Sequence, residues 1–148
     1  MTVSKGDLSD ESSLRIRSML DIVSEMEQIG DIFFQMSLTY ERKITAKSWF
    51  TLEQRRNLLE MFDLIDLTFE NMIFNLENNY ADIDLDKAET LETQVNQLRD
   101  RIRKEHLDNM GKGDYNIDSG MIYNDLYSSL EQVGDHIFQI NESIAGKV

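Results

Sequence analysis

EQIGDIFFQM (27–36) and EQVGDHIFQI (131–140) are nearly the same ten residues, written twice in one chain. Glu, Gln, Gly, Asp, Phe and Gln recur in register, with Ile29 answered by Val133 and Met36 by Ile140. Upstream, Asp21 matches Asp125 and Ser24 matches Ser128 at the same offset. Both copies read as helix, so each puts a glycine in mid-helix and two carboxylates one turn apart.

The rest of the chain agrees with helices. It has 148 residues, no proline and little strand-like alternation, which favours long uninterrupted helices and an all-α class. The length suits one domain, 1–148, large enough for a real core. The start, MTVSKGDLSDESS, has no apolar signal core, and residues 1–10 read as a flexible lead-in. No stretch approaches the roughly 18–20 apolar residues of a membrane span, so the expectation is a soluble, cytoplasmic protein. The absence of cysteine excludes disulfides and thiolate metal sites. A formal charge of −13 argues against nucleic acid, whose phosphates need Lys and Arg, and favours cations or basic partners.

Four helices are predicted. The first is capped by Ser9 or Asp10 and runs to about Ile44, where TAKSWF interrupts it. Thr51 with Gln54 forms a capping box for the second, which reaches about Asn79. Asp82 or Asp84 caps the third, which ends near Met110 with RDRIRK in its later turns. GKGDYNIDSG (111–120) is a loop, and a fourth helix follows from about Gly120 to Ala145. Short connections predict an antiparallel up-down bundle of four long helices. The alternative is an extended hairpin that completes its core only as a dimer.

On the first helix Met19, Val23, Met26, Gly30, Phe33, Ser37, Tyr40 and Ile44 keep a 4-3 spacing and are expected to be the buried seam. The fourth repeats it with Tyr123, Tyr127, Leu130, Gly134, Ile137, Asn141 and Ile144. Both glycines then lie where a partner helix can come close. Glu27 and Asp31, like Glu131 and Asp135, fall one residue past the seam, on a flank bordering the core. Neither motif has a Lys or Arg close by on that face, and a bridging cation would relieve the repulsion. Carboxylate-only sites suit hard ions such as magnesium, calcium, manganese or iron. The third-helix seam Ala88, Leu91, Val95, Leu98 and Ile102 puts Glu89, Glu92 and Asn96 on the matching flank. The second-helix seam Phe62, Ile65, Phe69 and Met72 does the same for Asp63, Asp66 and Glu70. In a chain this acidic, such a flank is equally a solvated face.

LEQVGDH (130–136), inside YNDLYSSLEQVGDHIFQINE, resembles the signature helix of PhoU-like proteins, including the cytoplasmic region that follows the membrane part of bacterial sodium/phosphate cotransporters. AETLETQVNQLRDRIRKEHLDNM (88–110) resembles the helix before it, and RIRSMLDIVSEMEQIGD (15–31) the signature helix of the other bundle. The resemblance covers roughly residues 15–145. It implies one three-helix bundle preceded by an extra signature helix, in a C-terminal piece of a longer membrane transporter or a shortened relative. It also implies a metal site of Glu27, Asp31, Glu131, Asp135 and Glu92, with iron, zinc, manganese or magnesium as candidates. The implied role is non-catalytic regulation of phosphate transport or homeostasis, at the inner face of the cell membrane. The partners it implies are a membrane phosphate transporter, including the protein's own transmembrane portion, or a phosphate-sensing kinase; a homodimer also fits. Gln28 and Gln132 stand where the family has arginine, and Asn96 where it has an acid.

A di-iron oxidase needs Glu-x-x-His pairs, but Arg103 precedes His106 and Val133 precedes His136 at that spacing, so the expectation is no enzyme. His136 reads as a solvent-facing or interface residue. Trp49 and Phe50 should staple the first turn, and Met19, Met26, Met61 and Met72 should fill the core. The competing functional reading is a metal-free acidic scaffold that binds a basic partner surface.

Overall fold

The computed structural model describes residues 5–78, 83, 85–112 and 115–146. It contains four helices in up-down order: α1 (Lys5–Thr45), α2 (Leu52–Glu77), α3 (Asp86–Met110) and α4 (Ile117–Ile144). α1 has 41 residues and begins earlier than Ser9, so the lead-in is helical from Lys5; residues 1–4 lie outside the described residues. Asp82 and Asp84, the expected caps of α3, also lie outside them.

Local signals account for the helix ends. The Thr51 hydroxyl accepts from Gln54 N at 3.1 Å while the Gln54 side chain accepts from Thr51 N at 2.9 Å, which completes the predicted capping box. Asn116 caps α4 by accepting from Ser119 N at 3.1 Å. α1 stops in a Schellman arrangement in which Ser48 N donates to Lys43 O and Lys47 takes the left-handed φ of 53°. Phe50 is buried beyond that turn as expected, whereas Trp49 is 63% exposed and staples nothing.

α2, α3 and α4 form a three-helix bundle, and α1 lies along the other side of α4. The third- and fourth-helix seams expected from sequence are all buried, with Val95, Ile102, Leu130 and Ile137 almost inaccessible. In α2, Leu58, Met61, Ile65 and Met72 point inward, while Phe62 is 38% exposed.

α1 corrects the expected register. Its inward stripe is Ser18, Ile22, Glu25, Ile29, Ile32, Met36, Thr39 and Lys43, each one residue before the expected seam and about 100° around the helix from it. Met19, Val23, Met26, Phe33, Tyr40 and Ile44 are exposed, so Met19 and Met26 fill no core while Met61 and Met72 do. The reason is that α1 carries two adjacent apolar stripes, and only one meets α4.

α4 carries the same two stripes, and both are used. Tyr123 through Ile144 face α2 and α3, while Ile122, Leu126, Ser129, Val133, His136 and Ile140 are the positions equivalent to the inward stripe of α1. Contacts between Arg42 and Asp125, and between Glu25 and His136, fix α1 antiparallel to α4. The two motif copies therefore lie side by side about an approximate local two-fold, with Ile29 and Val133 at its centre.

Candidate cation rim and contact face

The glycines of the two motifs do different work. A Cβ on Gly134 would meet Val95 Cγ1 at 3.3 Å and Ile65 Cδ1 at 3.4 Å, so this glycine lets α2 and α3 close onto α4. A Cβ on Gly30 would meet nothing within 4 Å, and Gly30 is exposed. The expected close approach thus holds for one copy and is corrected for the other.

The six candidate carboxylates separate in the same way. Glu27 and Asp31 are exposed on α1 rather than flanking the core, and the rotated register turns them away from α4. Glu89 is exposed at the start of α3, as are Asp63, Asp66 and Glu70 on α2. Glu92, Glu131 and Asp135 are half-buried and come together where α3 crosses α4. Burial raises the Glu92 pKa first, followed by the charges of Asp135, Glu142, Glu131 and Glu89. Burial also raises that of Glu131; Asp135 adds to the rise by charge and hydrogen bonding, and Arg99 opposes it.

Arg99 corrects the expectation that no cation stands near. Its Nη1 lies 2.9 Å from Glu131 Oε1, and its Nε donates to Asp100 Oδ1 at 2.8 Å. Glu92, Asn96 and Arg99 follow the 4-3 spacing of one helix flank, a sequence signal that places Arg99 on the rim. Asn96 Oδ1 is buried without a hydrogen-bond partner, as is Asn71 Nδ2 below the rim. Among the described residues no three of His, Asp and Glu are grouped so as to hold a metal ion.

Three further polar clusters have no counterpart in the sequence pattern. Gln54 Nε2 donates to Tyr115 Oη at 2.6 Å, and that hydroxyl lies 2.6 Å from His106 Nδ1. Burial lowers the His106 pKa, and the pattern fits a neutral ring accepting from Tyr115. Asn57 donates to both Glu105 and Tyr123, and Asn75 donates to Asn141 Oδ1 at 2.8 Å. These bonds tie the bundle from within. At the α1–α4 interface His136 Nδ1 pairs with Glu25 Oε2, so His136 is an interface residue.

The second feature is the outer face of α1. The stripe from Met19 to Ile44 is the positional equivalent of the α4 stripe that builds the bundle core; most of it is open, while Met26 and Phe33 are partly covered, Phe33 by Phe69 of α2. It continues into a groove of about 600 Å³ between α1 and α2, lined by Phe33, Tyr40, Leu59 and Phe62, with Lys43 and Arg55 on its walls. Phe33 stacks on Phe69 at 6.2 Å and forms the floor between the two helices. No helix in the described residues is long and apolar enough to cross a membrane. The chain matches no protein-family model, no curated protein and no solved structure.

Proposed function

We propose that this chain is a non-catalytic regulatory module of phosphate transport, PhoU-like in kind, working at the cytoplasmic face of the membrane through contact with a transporter or a phosphate-sensing kinase. The observation that supports this reading best is the open stripe of α1. A helix apolar on two adjacent faces needs burial on both, and α1 receives it on one and only in part, through Phe33 on Phe69, on the other. Contiguous apolar surface on this scale marks an interaction site. The resemblance of both motif copies to PhoU-like signature helices supplies the functional class. If the natural protein is longer, its own transmembrane portion is the nearest such partner. The test is uptake of labelled phosphate by cells lacking the gene and cells in which it is restored. Restoration should lower uptake when phosphate is plentiful; equal uptake in both would refute the proposal.

A second reading concerns the α3–α4 rim and is favoured by the unpartnered Asn96 Oδ1. In it Glu92, Asp135 and Asn96 hold one hydrated cation of the magnesium, manganese, iron or zinc series, with Arg99 neutralising Glu131. Manganese titration by calorimetry should give heat that Glu92→Gln removes. No heat in the unaltered protein would leave the metal-free scaffold, in which the acidic rim meets a basic partner surface.

A further inference from the structure

We infer that the open stripe of α1 pairs with the same stripe of a second copy of this chain, antiparallel and centred on Gly30. The inference rests on the reading of this stripe as a contact surface and names its first occupant, so that the module meets its regulatory partner as a dimer.

Four observations carry it. The stripe keeps 4-3 spacing from Met19 to Ile44, on the order of 38 Å at the rise of a helix, which is the pattern of a helix–helix seam. Its order also suits reversal. With Gly30 opposite the partner's Gly30, Met26 falls beside the partner's Phe33, Val23 beside the partner's Ser37 and Met19 beside the partner's Tyr40. Such a contact is isologous and closes at two copies.

The glycine is the third observation. Gly134, at the equivalent place in α4, admits Val95 from the antiparallel α3. Gly30 has nothing within 4 Å of its missing side chain, so no close approach among the described residues requires a glycine there. At the centre of a symmetric crossing it would let the two backbones approach, with the partner's α1 standing to α1 as α3 stands to α4.

Area is the fourth. Met19, Val23, Met26, Phe33, Tyr40 and Ile44 are 38–62% exposed. Together these six side chains offer on the order of 600 Å² per copy, the low end of what each partner of a specific interface buries. Glu27 and Asp31 fall outside the seam, so no carboxylate is buried by the pairing. Each copy carries a formal charge of −13, and the resulting repulsion is screened by salt. The dimer should therefore tighten as salt is added, whereas attachment of a basic partner to the same surface would weaken.

Sedimentation equilibrium of the full chain over a wide concentration range tests the inference. The expected result is a monomer–dimer equilibrium whose Kd falls with added salt. Gly30→Leu should raise Kd at least tenfold while leaving the helical circular dichroism unchanged, because one copy has room for the side chain. The register is read separately, since the chain has no cysteine. Under oxidation, a mixture of Val23→Cys and Ser37→Cys chains should form the mixed disulfide faster than either forms its own. A monomer at every concentration would overturn the inference, as would a dimer indifferent to Gly30→Leu or cross-linking fastest between two Val23→Cys chains. If the protein is monomeric and phosphate uptake still responds to the gene, the second-copy inference falls and the regulatory reading stands. If it dimerises and uptake ignores the gene, the reverse holds.

Discussion

Alanine at the two motif glycines should change stability in opposite directions. Glycine in mid-helix costs about 1 kcal/mol relative to alanine, so Gly30→Ala, with nothing within 4 Å of the added methyl, should gain about that amount. At Gly134 the same gain is set against overpacking. The new Cβ would sit 3.3 Å from Val95 Cγ1 and 3.4 Å from Ile65 Cδ1, and both residues are at most 2% exposed, with little room to retreat. Overpacking of a filled core costs about 1–3 kcal/mol, which leaves Gly134→Ala between neutral and about 2 kcal/mol destabilised. The two variants should differ by about 1–3 kcal/mol, or several degrees in Tm for a domain of this size. Urea denaturation followed by circular dichroism measures both, in solution dilute enough to keep each protein monomeric. Equal stabilisation by the two substitutions would refute the asymmetric roles of the glycines, and so would a loss at Gly30.

Three other substitutions probe the ends and the charges. Lys47→Gly should stabilise by about 0.5–1 kcal/mol, because φ of 53° puts its Cβ in the strained left-handed region; an unchanged urea midpoint would contradict this. His106 has its pKa lowered from 6.5 by burial, so the folded state binds fewer protons than the unfolded. Its stabilising effect is complete above 6.5 and is lost as pH falls below that, and His106→Gln should flatten the decline in Tm between pH 7 and 5. Glu92 is the opposite case, since its folded pKa is raised above 4.5 and its charge opposes folding at neutral pH. Glu92→Gln should therefore raise Tm at pH 7, with the advantage disappearing below pH 4.5; a constant offset across that range would exclude relief of repulsion as its cause.

Much of the fold was legible because its signals are local. The Thr51–Gln54 box, the turn after Ile44 and the loop around Gly111 each declare themselves within a few residues. α3 and α4 could be read in register because each has a single longest apolar row pointing into the bundle. α1 could not. Its inward stripe includes Ser18, Glu25, Thr39 and Lys43, whereas the outward stripe is richer in large apolar residues, so hydrophobic spacing alone selects the wrong face. Only the long-range pairing with α4 decides it.

The rim was half legible for the same reason. Glu131 and Asp135 one turn apart follow from helix geometry, and Glu92 from the flank of α3. The Arg99–Glu131 pair joins residues on two helices and depends on how those helices cross. Glu27 and Asp31 were drawn to the site by the repeat itself, but a local two-fold relating the repeats puts equivalent residues on opposite sides rather than together. The polar bonds of Gln54, Tyr115 and His106 link three separate segments and have no sequence periodicity to announce them.

In the proposed function the outer stripe of α1 is the surface through which the chain would meet its partner. Val23→Glu with Met26→Glu places two charges on that stripe without entering the core, since the two residues are 61% and 40% exposed. The doubly substituted chain should fold with unchanged helical content and fail to lower phosphate uptake when restored to cells lacking the gene. Uptake lowered as fully as by the unaltered chain would contradict the account.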